Sequence, residues 1–289
     1  MLSPPRAPTA LRCGMFYFSG IMKVNIKAHV VSFVAMVSCC LAVQMVSAEE
    51  VKGAYQLTWG KDIPLGVVSL GMYGLGSWRV RNMPAFDSSF SKKDLLPWDR
   101  PFAGTWNSKA DLASDIFSGA AAVPVVMALI DWRQNRLEAS DVWTQVGMLG
   151  EVLALQSGIN LTVRSFAFWP RPLMLGTHGG TERDAKDVSG SFYSGHSSAA
   201  FATAVFTANW FDRTHPGSSA TPWVWGGALT TATTVAVLRV AAGKHYPTDV
   251  IVGAMMGTVI GWGVPKFHES SSKISMAPLP GGAMCLVTF

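Results

Sequence analysis

Six long apolar segments separated by polar loops are the feature that most restricts the fold of this chain. They cover residues 63–80, 114–130, 140–163, 196–210, 222–241 and 247–264, and they are rich in Ala, Gly, Leu, Met and Val. The alternation typical of half-buried strands is scarce, so the segments predict helices. We expect an all-α fold, a helical bundle of about six main helices with a short irregular or strand-like C-terminal tail.

The surroundings of this bundle follow less directly from the sequence. A membrane span needs about 20 apolar residues, whereas three of the segments have uncharged windows of only 15 or 16 residues. Core helices of a large all-α domain fit these windows slightly better, and a membrane-embedded bundle is the close alternative. With 49% hydrophobic and 14% charged residues, the chain is too apolar for a disordered protein.

Residues 1–48 have the organisation of an export signal. From Met22, the expected true start, a basic stretch precedes an apolar run over residues 30–43, and small residues end at Ala48 as in a cleavage site. An uncleaved membrane anchor is the alternative. The leader holds four basic residues and no acid, so most of the net charge of +5 comes from it. Since no concentrated basic surface remains, we expect no nucleic-acid partner.

The remaining chain divides into three parts. Residues 49–113 form an N-terminal helix and polar loop, residues 114–265 the main helical domain, and residues 266–289 a tail. Only Cys285 lies beyond the leader, which excludes a disulfide within the mature chain and a Cys-based metal site.

Polar groups that a helical core does not require occur at three predicted helix ends. In "RSFAFWPRP", Arg164 ends a helix and Arg171 stands between two prolines that fix an extended turn. In "YSGHSS", Ser194 precedes a helix whose first N–H groups are unpaired and can bind an anion. Gly195 allows close approach, and His196 can exchange a proton beside it. Taken alone, this segment is explained more simply by a capping serine with an incidental histidine.

The third segment is "LRVAAGKHYPTDV", in which Arg239 ends a helix and Pro247 suits the first position of the next one. Asp249 then lies in the first turn, four residues after His245. A carboxylate there can fix the tautomer of the imidazole, or it can serve only the helix terminus. Together the three segments supply three arginines, a set of free amides and two histidines, which suit the oxygens of a phosphoryl group.

These segments resemble the signature of the type 2 phosphatidic acid phosphatase and vanadium haloperoxidase superfamily, K-x6-R-P, P-S-G-H and S-R-x5-H-x3-D. Order and internal spacing agree, over roughly residues 140–264. Arg164 replaces Lys, Tyr193 replaces Pro and Leu238 replaces Ser, which puts specificity in doubt more than activity.

The resemblance implies a role for each matching residue. His245 would attack phosphorus and form a phosphohistidine, Asp249 would orient His245, and His196 would protonate the leaving alcohol. The expected phosphate-binding residues are Arg164, Arg171, Ser194, Gly195 and Arg239. We expect no metal and no cofactor, since the chain has no H-E-x-x-H and no Cys-rich metal motif.

The resulting prediction is a metal-independent phosphatase acting on a phosphate monoester or a lipid (di)phosphate. The alternatives are a haloperoxidase with vanadate bound to His245 and a non-catalytic phosphate-binding protein. The expected partner is a phosphorylated small molecule or lipid, with membrane contact. We favour an exported domain in the periplasm, although six basic residues at positions 79–109 place that loop on the cytoplasmic side by the positive-inside rule.

Overall fold

The computed structural model describes residues 54–84, 86, 88–269, 274–279 and 282–287. The expected leader and its cleavage site lie outside these residues. The helices are α1 (Trp59–Arg81), α2 (Ser108–Ser118), α3 (Val123–Arg133), α4 (Ala139–Arg164), α5 (Gly195–Thr214), α6 (Thr221–Ala241) and α7 (Pro247–His268). A 3-10 turn over Gly119–Ala122 joins α2 to α3, so the two form the second predicted segment. The all-α prediction is confirmed.

The tail is strand-like, as expected. Two strands, β1 (Ile274–Leu279) and β2 (Gly282–Val287), pair as an antiparallel hairpin in which Ile274 lies opposite Val287.

The helices begin and end where local chemistry places them. Asn107 caps α2 by accepting from the N–H groups of the second and third helical residues. Pro247 opens α7, and the Asp249 carboxylate accepts from the N–H of Tyr246 at 2.9 Å. Several helices continue past the charged residues that bounded the predicted segments, because charges are tolerated in terminal turns.

Helix α5 lies at the centre of the bundle, where it packs against α4, α6 and α7. Helix α1 packs along α4, and α2 packs against α6. A core between α4, α5 and α7 is filled by large apolar side chains, including Met148, Phe206, Trp210 and Ile260.

Three glycines let α7 approach α5 at backbone distance. A Cβ at Gly253, Gly257 or Gly261 would lie 2.6, 2.1 or 2.2 Å from a carbonyl oxygen of α5 or its cap. No larger side chain fits at such distances, so the glycines fix the separation of the two helices.

The opposite face of α7 carries large apolar side chains that are exposed. Ile251, Met255, Val259 and Trp262 are 55–64% exposed and recur at helical spacing. Small residues inside and large apolar residues outside reverse the pattern of a soluble helix and are typical of a helix in lipid.

Among the residues that the structure describes, four helical stretches are long and apolar enough to cross a membrane, namely Ser108–Arg133, Ala139–Arg164, Thr221–Ala241 and Pro247–His268. They contain 21–26 residues, more than the uncharged windows suggested, because the helices extend beyond the charges that ended those windows. Together with the exposed apolar faces, these lengths support membrane association, the close alternative of the sequence interpretation, over a soluble domain.

Candidate active site

The candidate site lies at one end of the bundle, where α4 and α6 end and α5 and α7 begin. The segment 165–194 folds over this end and is fixed to the helices by backbone groups. Ser194 N–H donates to the carbonyl of Asp249 at 3.1 Å, and the Asn160 amide donates to the carbonyl of Tyr193 at 2.7 Å. The structure thereby brings all eight predicted site residues to the same end of the bundle.

His245 is held by a main-chain group. It is 2% exposed, and its Nδ1 lies 2.9 Å from the carbonyl oxygen of Ser191. A carbonyl only accepts, so Nδ1 carries the proton and Nε2 keeps its lone pair. Gly243 makes the preceding turn possible at φ +73°, where a Cβ would lie 1.9 Å from the carbonyl oxygen of Thr105.

Asp249 is linked to His245 through Ser191 rather than by a direct hydrogen bond. Its Oδ2 lies 3.6 Å from His245 Nδ1, longer than a hydrogen bond. The fully buried carboxylate accepts from Ser191 Oγ at 2.5 Å and from Trp169 Nε1 at 3.1 Å. Asp249 therefore fixes the position of Ser191, whose carbonyl orients the imidazole.

The surroundings keep His245 neutral. Burial lowers its pKa well below the ordinary 6.5, and the positive charges of Arg239, Arg171 and Arg164 lower it further. An uncharged imidazole with a free Nε2 can serve as a nucleophile at neutral pH.

Arg164, Arg171 and Arg239 form an arginine cluster around this histidine. Arg164 and Arg171 both bind Oδ2 of Asp187 through Nη2, Arg171 at 2.8 Å. Arg239 Nη1 donates to Asp111 at 2.7 Å and to Ser114 at 3.0 Å.

The Nε–H groups of these three arginines are a second shared feature. All three are buried and have no hydrogen-bond partner among the residues that the structure describes. Unpaired buried donors are costly, so three of them together indicate a site for an anion.

The helix start at Ser194 contains a capping serine, a packed glycine and a partly exposed histidine. Ser194 Oγ accepts from the N–H of Ser197 at 3.3 Å, so the serine is a helix cap. Gly195 packs against Asn160, whose Oδ1 would lie 2.7 Å from an added Cβ. His196 Nε2 lies 3.3 Å from Asp115 Oδ1, and its side chain is 41% exposed. The cap is therefore structural, whereas His196 faces open space beside it.

The sequence interpretation missed the carboxylates and the serine that support the site, namely Asp111, Asp115, Asp187 and Ser191. Asp111 and Asp115 are spaced for one helix face, which a search for partners of Arg239 could have used. Asp187 and Ser191 lie on an irregular loop, where spacing predicts no shared position.

A cavity of about 420 Å³ opens from the site into the bundle. Arg164, Gly195 and His196 contribute to its wall at the site end. Farther along, small or apolar residues of five helical segments line it, including Tyr73, Phe117, Leu161, Ala200, Val224 and Ala228. The cavity therefore joins a charged site to an apolar interior.

One group of side chains in the described part of the chain has the composition of a metal site. The ligand atoms of Asp62, Glu151 and His268 lie within 4.8 Å of one another. His268 Nε2 is 2.6 Å from Asp62, a hydrogen-bond distance, whereas two ligands of one tetrahedral zinc lie about 3.3 Å apart. The group links α1, α4 and α7 at the end of the bundle opposite His245.

Comparison with known proteins finds a family model that resembles the part of the chain that carries the site. The model of the PAP2 superfamily matches residues 145–273, which include all eight predicted site residues. A crystal structure of the first transmembrane PAP2 type phosphatidylglycerolphosphate phosphatase from Bacillus subtilis is similar at 17% identity and a TM-score of 0.39. The aligned region covers 82% of this chain and 94% of that chain. The sequence identity and the TM-score are too low to support an inference about activity. No curated protein matches the chain.

Proposed function

We propose that the chain is a phosphatase that hydrolyses a phosphate monoester or (di)phosphate of a membrane lipid. The observation that carries this proposal is the arginine cluster, whose three unpaired Nε–H groups lie around the neutral His245. The similarity of residues 145–273 to the PAP2 superfamily supports the same reaction class.

In the first step Nε2 of His245 attacks phosphorus while the bond from phosphorus to the leaving oxygen breaks. Nδ1 keeps its proton and donates it in a hydrogen bond to the carbonyl of Ser191. The arginine cluster binds the phosphoryl oxygens as negative charge develops on them. His196 donates a proton to the leaving alcohol. The product of this step is a phosphohistidine.

In the second step water attacks the phosphohistidine, and His196 takes a proton from it. The bond between Nε2 and phosphorus breaks, which releases inorganic phosphate and restores neutral His245. The arginines supply the positive charge that a metal supplies in other phosphatases, so the proposed reaction uses no metal and no cofactor.

The cavity is the reason for proposing a lipid substrate. With its phosphate in the arginine cluster, a substrate has an apolar space of about 420 Å³ directly beside it. Membrane-spanning lengths of the surrounding helices would bring lipids to that space.

Purified full-length chain in detergent should be assayed with phosphatidic acid, an isoprenyl diphosphate and p-nitrophenyl phosphate. We expect phosphate release from a lipid substrate and its loss in His245→Ala. Acid-labile, alkali-stable labelling by a ³²P substrate in the native chain, absent from His245→Ala, would support the phosphohistidine. Unchanged hydrolysis by His245→Ala would overturn the mechanism and the assignment of the site.

The two alternatives are tested by the same preparation. Bromide oxidation with peroxide and added vanadate, without any phosphate release, would make the chain a haloperoxidase. Phosphate binding without either activity would make it a binding protein.

Export to the periplasm is the proposal that the leader carries. The basic loop at positions 79–109 argues against export. It lies at the site end of the bundle, where Gly104 N–H donates to the carbonyl of Pro172 at 2.8 Å, and the positive-inside rule assigns such a loop, and with it the site, to the cytoplasm. Labelling of a cysteine introduced at Lys92 by a membrane-impermeant maleimide in intact cells would place the site outside. Labelling only after lysis would place it in the cytoplasm.

A further inference from the structure

We propose that Asp187 is a positioning residue that holds the guanidinium groups of Arg164 and Arg171 in the orientation needed for phosphate. This inference concerns the same site and rests on the proposed function. The assignment comes from the ion pairs and from the loop that carries the carboxylate.

One oxygen of Asp187 serves both arginines. Its Oδ2 accepts from Nη2 of Arg164 and from Nη2 of Arg171, and both guanidinium groups are largely buried. The loop is fixed in turn, because Arg171 N–H donates to the carbonyl of Val188 at 2.9 Å. Asp187 is thus a fixed point between two arginines that come from different segments.

The carboxylate is ionised in this position. Burial alone would raise the pKa of Asp187, but the positive charges of Arg171 and Arg164 outweigh it and hold the pKa below its ordinary value. A charged acceptor makes the stronger hydrogen bond to each guanidinium.

The orientation follows from the shape of arginine. A guanidinium is a rigid plane, so a bond at Nη2 restricts the directions in which its other N–H groups point. In both arginines Nη2 is bound by Asp187, and Nε is buried without a partner among the described residues. Asp187 therefore takes one donor of each fork and leaves another for the substrate.

The same geometry gives a reason for arginine at position 164, where the resembling signature has lysine. The three donors of an ammonium share one rotating nitrogen, so a carboxylate bound to one of them does not aim the others. Only the planar guanidinium of an arginine allows the contact with Asp187 to fix the direction of the remaining N–H groups.

Asp187→Asn tests the role, with Asp184→Asn as matched control because Asp184 is exposed on the same loop. Since misplacing a binding group by about 1 Å can cost about a hundredfold in rate, we expect kcat/KM to fall about 10- to 100-fold. Asp187→Glu should restore part of this loss, Asp184→Asn should match the native chain, and the unfolding temperature should show that each variant is folded. A folded Asp187→Asn with native or higher kcat/KM would overturn the proposal.

A double-mutant cycle separates orientation from general stabilisation. If Asp187 acts by aligning a planar group, the loss caused by Asp187→Asn should be at least about threefold smaller in an Arg164→Lys background. An equal loss in both backgrounds would show that Asp187 does not act through the plane of Arg164.

Binding of orthovanadate, measured by calorimetry, keeps this proposal distinct from the proposed function. A native chain that binds orthovanadate but hydrolyses nothing would refute the phosphatase, and weaker binding by Asp187→Asn would still support the positioning role. Hydrolysis by the native chain, with orthovanadate binding unchanged in Asp187→Asn, would refute the role and leave the phosphatase intact.

Discussion

Gly257→Ala should impair a site that it does not touch. The added Cβ would lie 2.1 Å from the carbonyl oxygen of Ser198, 1.3 Å short of the 3.4 Å at which ordinary contact begins. The atom that it meets belongs to the backbone of the first turn of α5, so α5 and α7 must separate there by about that amount. Overpacking of this kind costs about 1–3 kcal/mol.

The separation reaches the site because both helices begin there. Gly257 is eight residues, or about 12 Å, from Asp249 along α7, and Ser198 is two residues from His196. Because a displacement of about 1 Å can cost about a hundredfold, kcat should fall by about 10- to 100-fold. Phosphate release in detergent and thermal unfolding followed by circular dichroism measure the two effects.

Gly263→Ala is the matched control on the same helix. A Cβ at Gly263 meets no atom within 4 Å, so it should gain only the helix propensity of alanine, about 1 kcal/mol. We expect Gly263→Ala to keep native activity and to unfold at a slightly higher temperature. If Gly257→Ala behaved in the same way, the close approach of α5 and α7 would be refuted.

Four further predictions concern the cavity, the metal, the nucleophile and the membrane. Ala228→Phe, which fills the cavity, should lower activity on long-chain phosphatidic acid at least about tenfold but leave activity on p-nitrophenyl phosphate unchanged. The control Val237→Phe, on the outer face of α6, should leave both activities unchanged. An equal loss of both activities in Ala228→Phe would contradict the cavity as the site of the lipid tail. Dialysis against EDTA should leave phosphate release unchanged, and activity that returns only with an added metal would contradict the metal-free reaction. In ¹⁵N NMR, His245 should stay neutral at pH 6.5 and protonate only well below that pH. Between the lowered pKa of the folded chain and 6.5, the unfolded chain binds more protons at this residue, so the free energy of unfolding should rise with pH in that range. Titration of His245 at or above pH 6.5 would refute its buried setting. The chain should resist carbonate washing and require detergent for extraction, and its release by carbonate would contradict membrane-spanning helices.

Much of the fold could be predicted because apolar periodicity and helix-end chemistry are local signals. Pro247 with Asp249, and Ser194 with Gly195, mark the starts of α7 and α5 within one or two residues. The membrane setting was harder to predict, because a charge inside a terminal turn ended an uncharged window but did not end the helix. Which face of α7 is exposed depends on Gly253, Gly257 and Gly261, because α5 packs against the face that carries them. The sequence alone does not show that α5 is the helix packed there.

Site residues that belong to a sequence motif could be predicted. Site residues that are defined only by a contact with a distant part of the chain could not. His196, His245 and Asp249 have fixed spacing, so the sequence identifies them. The partners of the arginines come from other parts of the chain, and no spacing connects Asp187 with Arg164. The role of Ser191 depends on its carbonyl, a group that every residue has, so its identity gave no signal.

That carbonyl has a consequence for how the site tolerates mutation. Substitution at position 191 removes the hydroxyl that Asp249 holds but leaves the oxygen that binds His245. Exchange of the side chain therefore weakens the orientation of the nucleophile without abolishing it, because Ser191 N–H still donates to the carbonyl of Trp169 at 2.9 Å. A change in the length of the segment between Arg171 and Ser191 would displace the carbonyl itself. Insertions or deletions there should be rarer among functional variants than point substitutions, although the segment is an irregular loop.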